Sequence, residues 1–169
     1  MEKNRTNTKK RNFFEPTYRQ VLVFIVATTI LGFISSIGGG YMNEYISWNR
    51  PPFSALPICY FVTRLIMYAM IGTALFLVYR EPSRKKYNRT IDLICFYTQL
   101  TFYFFFPLFF FRFGMTIFSA VWIGIAIVLA IITLVRFWAN NTIAGILYTI
   151  YTIWLMYLFY ITLGCALLA

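Results

Sequence analysis

Histidine is absent from the 169-residue chain, and acidic residues number only five. The absence of histidine removes the commonest general base and the commonest metal ligand of proteins. The acidic residues are Glu2, Glu15, Glu44, Glu81 and Asp92. None of them falls in the middle of an apolar stretch, so no carboxylate is placed to carry protons within a membrane.

Cysteine is scarce as well, with three residues in three different apolar segments: Cys59, Cys95 and Cys165. Their positions have no metal-ligand spacing, and such cysteines are typically small buried hydrophobic side chains. No nucleophile–base pair is visible in the sequence either. We therefore expect no metal site, no bound cofactor and no enzymatic activity.

Charged residues make up only 12% of the chain, whereas 60% is hydrophobic and 21% aromatic. A soluble domain of this size has too little interior to bury so much apolar surface, since average usage is about 45–50% apolar and 25% charged. The mean hydropathy of +0.70 agrees. This composition predicts an integral membrane protein.

The apolar residues form five stretches long enough to cross the membrane as helices. These predicted spans cover residues 20–37, 58–79, 90–111, 115–137 and 143–167. The loops between them are too short for a soluble domain, so residues 20–169 should form one all-α, five-helix transmembrane bundle. Residues 1–19 form a basic tail before it.

The net charge of +10 comes from lysine and arginine concentrated in the tail and in the second loop, residues 80–89. The positive-inside rule explains this distribution better than nucleic-acid binding does, so no nucleic-acid partner is expected. It places the N-terminus in the cytoplasm and the C-terminus outside. No cleavage motif follows the first apolar run, which favours an uncleaved span in a bacterial plasma membrane in contact with membrane lipids.

Residues 48–79 combine a proline-rich loop with the second span. Pro51 and Pro52 cannot lie inside a regular helix, whereas Pro57 suits a helix start because its missing N–H costs nothing there. The loop before it contains several aromatic residues, which suit either the headgroup interface or a lid over an intramembrane pocket. The loop begins with a run of three glycines at residues 38–40, where the first helix should stop.

Two polar side chains within the spans need partners. Arg64 lies about two turns into the second span, where it either snorkels to the headgroups or faces inward to bind an anion or backbone carbonyls. Gln99 lies near the middle of the third span, and an unpaired amide in hydrocarbon costs several kcal/mol. Tyr103, four residues later on the same helix face, is its predicted partner. Pro107 should kink this span near its end.

Small residues recur at helical spacing in the fourth span, at Ala120 and Gly124 and again at Ala126 and Ala130. Pairs of this kind let helices approach closely. They indicate either packing within the bundle or a homodimer face.

The motifs of residues 48–79 resemble those of the translocator protein family, also called tryptophan-rich sensory proteins or peripheral benzodiazepine receptors. Bacterial members carry Leu-Asn-Lys-Pro-Pro-Phe-Ser-Pro-Pro before a helix with Tyr-x-x-Met-Gly-x-Ala-x-x-x-Val-Trp. This chain reads WNRPPFSAL and then YAMIGTALFLVY in the same register. QLTFYFFFPLFFF, at residues 99–111, is similar to the family's third helix, and IYTIWLMYL, at residues 150–158, to its fifth.

The chain also departs from the family pattern. In the second helix Arg64 replaces the usual tryptophan, and in the third Tyr103 and Phe106 replace an asparagine and a tryptophan. Ser119 replaces an acidic residue of the fourth helix. In the fifth helix Ile150 replaces a proline and Leu158 a small residue. These replacements make the implied pocket bulkier and add a positive charge, which favours anionic ligands over the drug-like ligands of the family.

The resemblance implies a ligand pocket among the five helices, under the first loop. Its expected residues are Tyr45, Arg50, Phe53, Arg64, Tyr68, Tyr103, Phe106, Tyr151, Trp154 and Leu158. The implied ligands are tetrapyrroles such as protoporphyrin, and sterol- or lipid-like molecules, bound in a sensory or regulatory role. Aromatic rings can stack on flat macrocycles, and Arg64 or Arg50 can pair with propionates. The alternatives are a transporter of such ligands and a porphyrin-degrading enzyme.

Overall fold

The computed structural model describes the backbone of residues 16–38, 45, 48–80 and 86–168, with the side chains of 21–37, 45, 48–80 and 90–168. Within these residues the fold is all helical. The helices are α1 (Pro16–Gly38), α2 (Pro57–Arg80), α3 (Lys86–Pro107), α4 (Thr116–Asn140) and α5 (Thr142–Leu168), and a π-helical turn, Leu108–Arg112, follows α3. Most of the basic tail and of the second loop lies outside the described residues, as do the last two glycines of the run at 38–40.

The prediction of five membrane helices is confirmed, with each predicted span inside or close to an observed helix. In the part of the chain that the structure describes, four helical stretches are long and apolar enough to cross a membrane: Pro57–Arg80, Thr90–Arg112, Thr116–Asn140 and Thr142–Leu168. In α1 the apolar part, Val21–Ile37, is shorter. The whole of α1 has 23 residues, about 34 Å at 1.5 Å per residue, which matches a hydrocarbon core of about 30 Å.

The exposed faces of the helices are apolar, as a lipid environment requires. On α4 the most exposed side chains recur at intervals of four and seven residues, which is one helical face: Ile117, Val121, Val128 and Val135. The opposite face packs along α5. Ala126 and Ala130 are buried on that inner face, and Gly124 faces the ring of Phe159 on α5. These small residues therefore pack helices within one chain, and the homodimer stays a prediction.

Helix ends follow their local sequence. Pro57 begins α2, as its missing N–H predicts. Gly114, with φ at +61°, makes the tight turn before α4. The connection between the fourth and fifth helices is shorter than the predicted span bounds, 137 and 143, leave room for, since α4 continues to Asn140 and α5 begins at Thr142. Between them Asn141 accepts hydrogen bonds from the backbone N–H groups of Ile143 and Ala144, which caps α5.

Candidate ligand-binding site

A cavity of about 60 Å³ lies among α1, α2, α3, the π-helical turn and α5, on the side of the bundle that the first loop covers. Its wall is made of aromatic rings, two prolines, a leucine, a serine and one arginine. The lining residues are Ser36, Pro57, Tyr60, Phe61, Arg64, Tyr103, Phe106, Pro107, Phe111, Trp154 and Leu158. This chemistry, apolar with few polar groups, is typical of small-molecule sites.

Arg64 is the cationic group of this cavity, and it faces inward rather than toward the headgroups. Its side chain is only 6% exposed. One terminal nitrogen, Nη2, donates to Ser35 Oγ at 2.9 Å and to the Tyr103 carbonyl at 2.8 Å. The guanidinium carbon also lies 4.6 Å from the centre of the Tyr103 ring and 5.7 Å from that of Tyr68. The sequence left two orientations open for the Arg64 side chain, and the one in which it snorkels to the headgroups is wrong.

Pro107 explains why a backbone carbonyl is available to Arg64 inside a helix. In a regular helix the N–H of residue 107 bonds to the carbonyl of residue 103, but proline has no N–H. The α-helix ends at Pro107 and the chain continues as a π-helical turn. The Tyr103 carbonyl has therefore lost its usual donor and accepts from Arg64 instead. The neighbouring Phe104 carbonyl accepts from Ser35 Oγ, which ties α1 to the same place.

The aromatic walls of the cavity are themselves held by hydrogen bonds. Trp154 Nε1 donates to the Tyr103 hydroxyl at 3.1 Å. Tyr60 accepts a hydrogen bond of 3.2 Å from the Tyr45 hydroxyl, and its ring stacks on that of Tyr157. These contacts join α5 to α3 and α2 across the cavity, so the rings have fixed positions.

The first loop is fastened to α5 above the cavity. The Tyr157 hydroxyl donates to the Phe53 carbonyl at 3.0 Å and accepts from the Ala55 N–H at 3.1 Å. Tyr160 donates to the Pro52 carbonyl at 3.0 Å. A Cβ atom at Gly164 would lie 2.5 Å from Pro51 Cγ, so only glycine permits this close approach. Residues 51–55 of the loop are therefore held against α5.

Of the ten residues expected in the pocket, the structure brings five to the cavity wall: Arg64, Tyr103, Phe106, Trp154 and Leu158. Tyr68 and Tyr151 lie behind the wall, with ring centres 5.1 and 5.3 Å from that of Tyr103. Tyr45 is buried above it, and the guanidinium carbon of Arg50 lies 5.3 Å from the centre of the Tyr45 ring. Neither side chain lines the cavity.

Phe53 was also expected in the pocket, but its side chain is 91% exposed and does not reach the cavity. Its φ of +62° is a left-handed conformation that side chains rarely adopt. This backbone turns the phenyl ring out of the bundle, while its carbonyl faces Tyr157.

Other wall residues were not expected from the sequence: Ser36, Pro57, Tyr60, Phe61, Pro107 and Phe111. Helical spacing was the available signal for two of them. Tyr60 and Phe61 precede Arg64 by four and three residues, so they share its helix face. Ser36 carried no such signal, because its place depends on how α1 packs against α2.

Gln99 has partners other than the one its helix position predicted. Its amide nitrogen donates to the Tyr151 hydroxyl, and its amide oxygen accepts from Tyr148 at 2.6 Å. The predicted partner, Tyr103, bonds to Trp154 instead. The prediction was wrong because α5 offers two hydroxyls at the depth of Gln99. The amide is thereby satisfied on both its oxygen and its nitrogen.

Tyr45 lies outside the helices that cross the membrane, in the loop that covers the cavity. Burial raises the pKa of its phenol above the usual value, and the smaller effect of its hydrogen bond to Tyr60 opposes this. A phenol is neutral at physiological pH even without this shift, and the Tyr45 hydroxyl donates to Tyr60.

A second, larger cleft of about 340 Å³ lies at the same end of the bundle but outside the helix core. Its lining residues are Trp48, Asn49, Arg112, Phe113, Gly114, Thr116, Cys165 and Leu168. Asn49, Arg112 and Phe113 are exposed, so this cleft is open to the surroundings. The smaller cavity is the better site for an apolar ligand, because helices surround it and aromatic rings line it.

The sequence pattern of the TspO/MBR family matches residues 21–168, which is nearly the whole chain. The chain belongs to the TspO/MBR family. It is therefore an integral membrane protein, and membership indicates a ligand-binding or sensory role in the membrane. A comparison with curated proteins gives no match. Within the TspO/MBR family this chain has Arg64 in its pocket wall, where the resemblance led us to expect tryptophan.

Proposed function

We propose that this TspO/MBR protein binds apolar ligands of the tetrapyrrole, sterol or lipid type in the cavity under its first loop, in a sensory or regulatory role. The observation that carries the proposal is the cavity wall itself. Rings from α2, α3 and α5 converge on one cavity, and Tyr103 and Trp154 are hydrogen-bonded to each other in its wall. Faces of such rings stack favourably on flat, apolar molecules.

The cavity represents a closed form. Ligand pockets usually measure about 300–1,000 Å³, whereas this one measures about 60 Å³. A macrocycle therefore enters only when the walls separate. The partly buried wall residues form the edge of the cavity: Ser36, Pro57, Phe61, Phe111 and Trp154.

The proposed role is binding rather than catalysis. The wall consists of groups that hold and orient an apolar ligand, namely rings, leucine and proline, with one cation. We expect protoporphyrin recovered from the protein after illumination to have an unchanged mass. Loss of bound porphyrin in the protein, at a rate above that in empty micelles, would support the enzyme alternative.

We also propose that the N-terminus is cytoplasmic, that the C-terminus is outside, and that the membrane is a bacterial plasma membrane. The concentration of lysine and arginine in the tail and second loop supports this orientation. In a cysteine-free background, an impermeant maleimide should label Asn49→Cys in intact cells and Ser83→Cys only after lysis. The reverse pattern would overturn the orientation.

The binding proposal is tested by titrating the detergent-purified protein with protoporphyrin IX and following tryptophan fluorescence. We expect saturable quenching. Trp154→Phe should lower both the quenching amplitude and the affinity, because Trp154 lies in the cavity wall. The matched control is Trp138→Phe, since Trp138 lies on α4, donates to Thr149 and does not line the cavity. Unsaturable quenching, equal in all proteins, would mean that porphyrin only partitions into micelles.

A further inference from the structure

Arg64 carries a buried positive charge that no carboxylate balances among the described residues. The one acidic residue in the described part of the chain, Asp92, is paired with Arg136. Arginine keeps its positive charge in proteins. Buried charges are normally paired, because desolvation of an unpaired ion costs several kcal/mol.

The groups around Arg64 satisfy it only in part. Ser35 and the Tyr103 carbonyl both bond to the same nitrogen, Nη2. Nε is buried and has no hydrogen-bond partner, and neither has the buried hydroxyl of Tyr68, whose ring lies beside the guanidinium. The site thus holds one cation with an unused Nε donor beside the cavity.

We propose that the pocket takes an apolar molecule that ends in a carboxylate, and that Arg64 binds this carboxylate. The inference rests on the proposed ligand-binding function and specifies its ligand class. A carboxylate supplies the missing negative charge and accepts from a guanidinium in a planar, two-bond arrangement. The remaining wall, which includes Tyr60, Phe61 and Leu158, suits the apolar part of the molecule.

Arg64 is the cationic side chain of a wall that is otherwise mostly apolar and aromatic, which suits a ligand with one anionic end. A neutral sterol would leave the charge of Arg64 unbalanced. Arg50, the other cation considered for this role, lies over the Tyr45 ring and does not line the cavity.

Two kinds of molecule carry this chemistry, long-chain fatty acids and tetrapyrroles with propionates, and the test separates them. Binding of cis-parinaric acid and of protoporphyrin IX is measured by fluorescence on the detergent-purified protein, each beside its methyl ester. We expect at least one acid to bind about 10- to 100-fold more tightly than its ester, the range for a hydrogen-bonded charge. The acid that shows this preference identifies the source of the carboxylate.

Arg64→Met should abolish the preference for acid over ester, and Arg64→Lys should retain part of it. The matched control is Arg80→Met, the same substitution at the exposed end of the same helix, which should leave the preference unchanged. A preference that persists in Arg64→Met would overturn the assignment of Arg64.

The two proposals fail in different ways. If acids and esters bind saturably and equally, the carboxylate proposal is overturned and the pocket stands. If no compound binds saturably, the binding function itself is overturned. If Arg64→Met does not fold, the comparison of acids with esters in the unmodified protein and in Arg64→Lys tests the same role of Arg64.

Discussion

Arg64 and Arg136 are both arginines of the helix bundle, but their surroundings differ. Arg136 on α4 is 27% exposed and pairs with Asp92 on α3, whose carboxylate also accepts from Asn140 at 2.9 Å. Arg64 is more deeply buried and has only neutral partners. The first cluster contains its own anion, whereas the described residues supply none to the second. We use this difference to separate a structural charge from the proposed ligand-binding one.

The largest effect on stability should come from Arg136→Met. It removes the guanidinium that pairs with the Asp92 carboxylate, which is only 2% exposed. Removing one partner of a buried ion pair costs up to about 3–5 kcal/mol. We expect a clear fall in the thermal unfolding temperature in detergent, measured beside Arg80→Met. An unchanged unfolding temperature would contradict a structural role of this pair.

Gln99→Leu should have the next largest effect, because it removes the shared partner of two buried hydroxyls. Tyr148 and Tyr151 would each lose a hydrogen bond in the interior of the bundle. A buried polar group left without a partner costs about 1–3 kcal/mol. Unfolding in detergent measures this loss, and the triple substitution with Tyr148→Phe and Tyr151→Phe should recover part of it. Absence of any recovery would mean that Gln99 acts through packing.

Tyr157→Phe should have a smaller effect, confined to the cover of the cavity. It removes the hydroxyl that bonds to the Phe53 carbonyl and the Ala55 N–H. Each bond contributes about 0.5–1.5 kcal/mol. We expect faster dissociation of bound protoporphyrin in stopped-flow measurements, with the unfolding temperature little changed. Tyr97→Phe, on the exposed surface of α3, is the control. Equal dissociation rates in both variants would mean that the first loop does not limit release.

Arg64→Met should have the smallest effect on stability without ligand. Replacing a buried, poorly balanced charge by an apolar side chain is often neutral or stabilising. The same substitution therefore should lower stability at position 136 and leave it equal or higher at position 64, when both are compared by unfolding in detergent. A loss at position 64 as large as that at 136 would remove the distinction between the two arginines.

The helices and the family could be predicted from the sequence, because both depend on features of contiguous segments. Apolar length determined the spans, and the proline motif of residues 48–79 indicated the family, which is confirmed. Side-chain partners depend on contacts between helices and were harder to predict. The inward position of Arg64 required Ser35 on α1 and a free carbonyl on α3. Gln99 bonded to α5 rather than within its own helix.

Pro107 makes the two sides of the cavity energetically dependent on each other. Any other residue at this position would bring an N–H that competes with Arg64 for the Tyr103 carbonyl. The effects of Pro107→Ala and Arg64→Met should therefore be non-additive, with a coupling energy of about 0.5–3 kcal/mol in a double-mutant cycle. With such coupling, the effect of a substitution at one position depends on the residue at the other. An arginine is tolerated inside the helix bundle because a proline on α3 left an acceptor free.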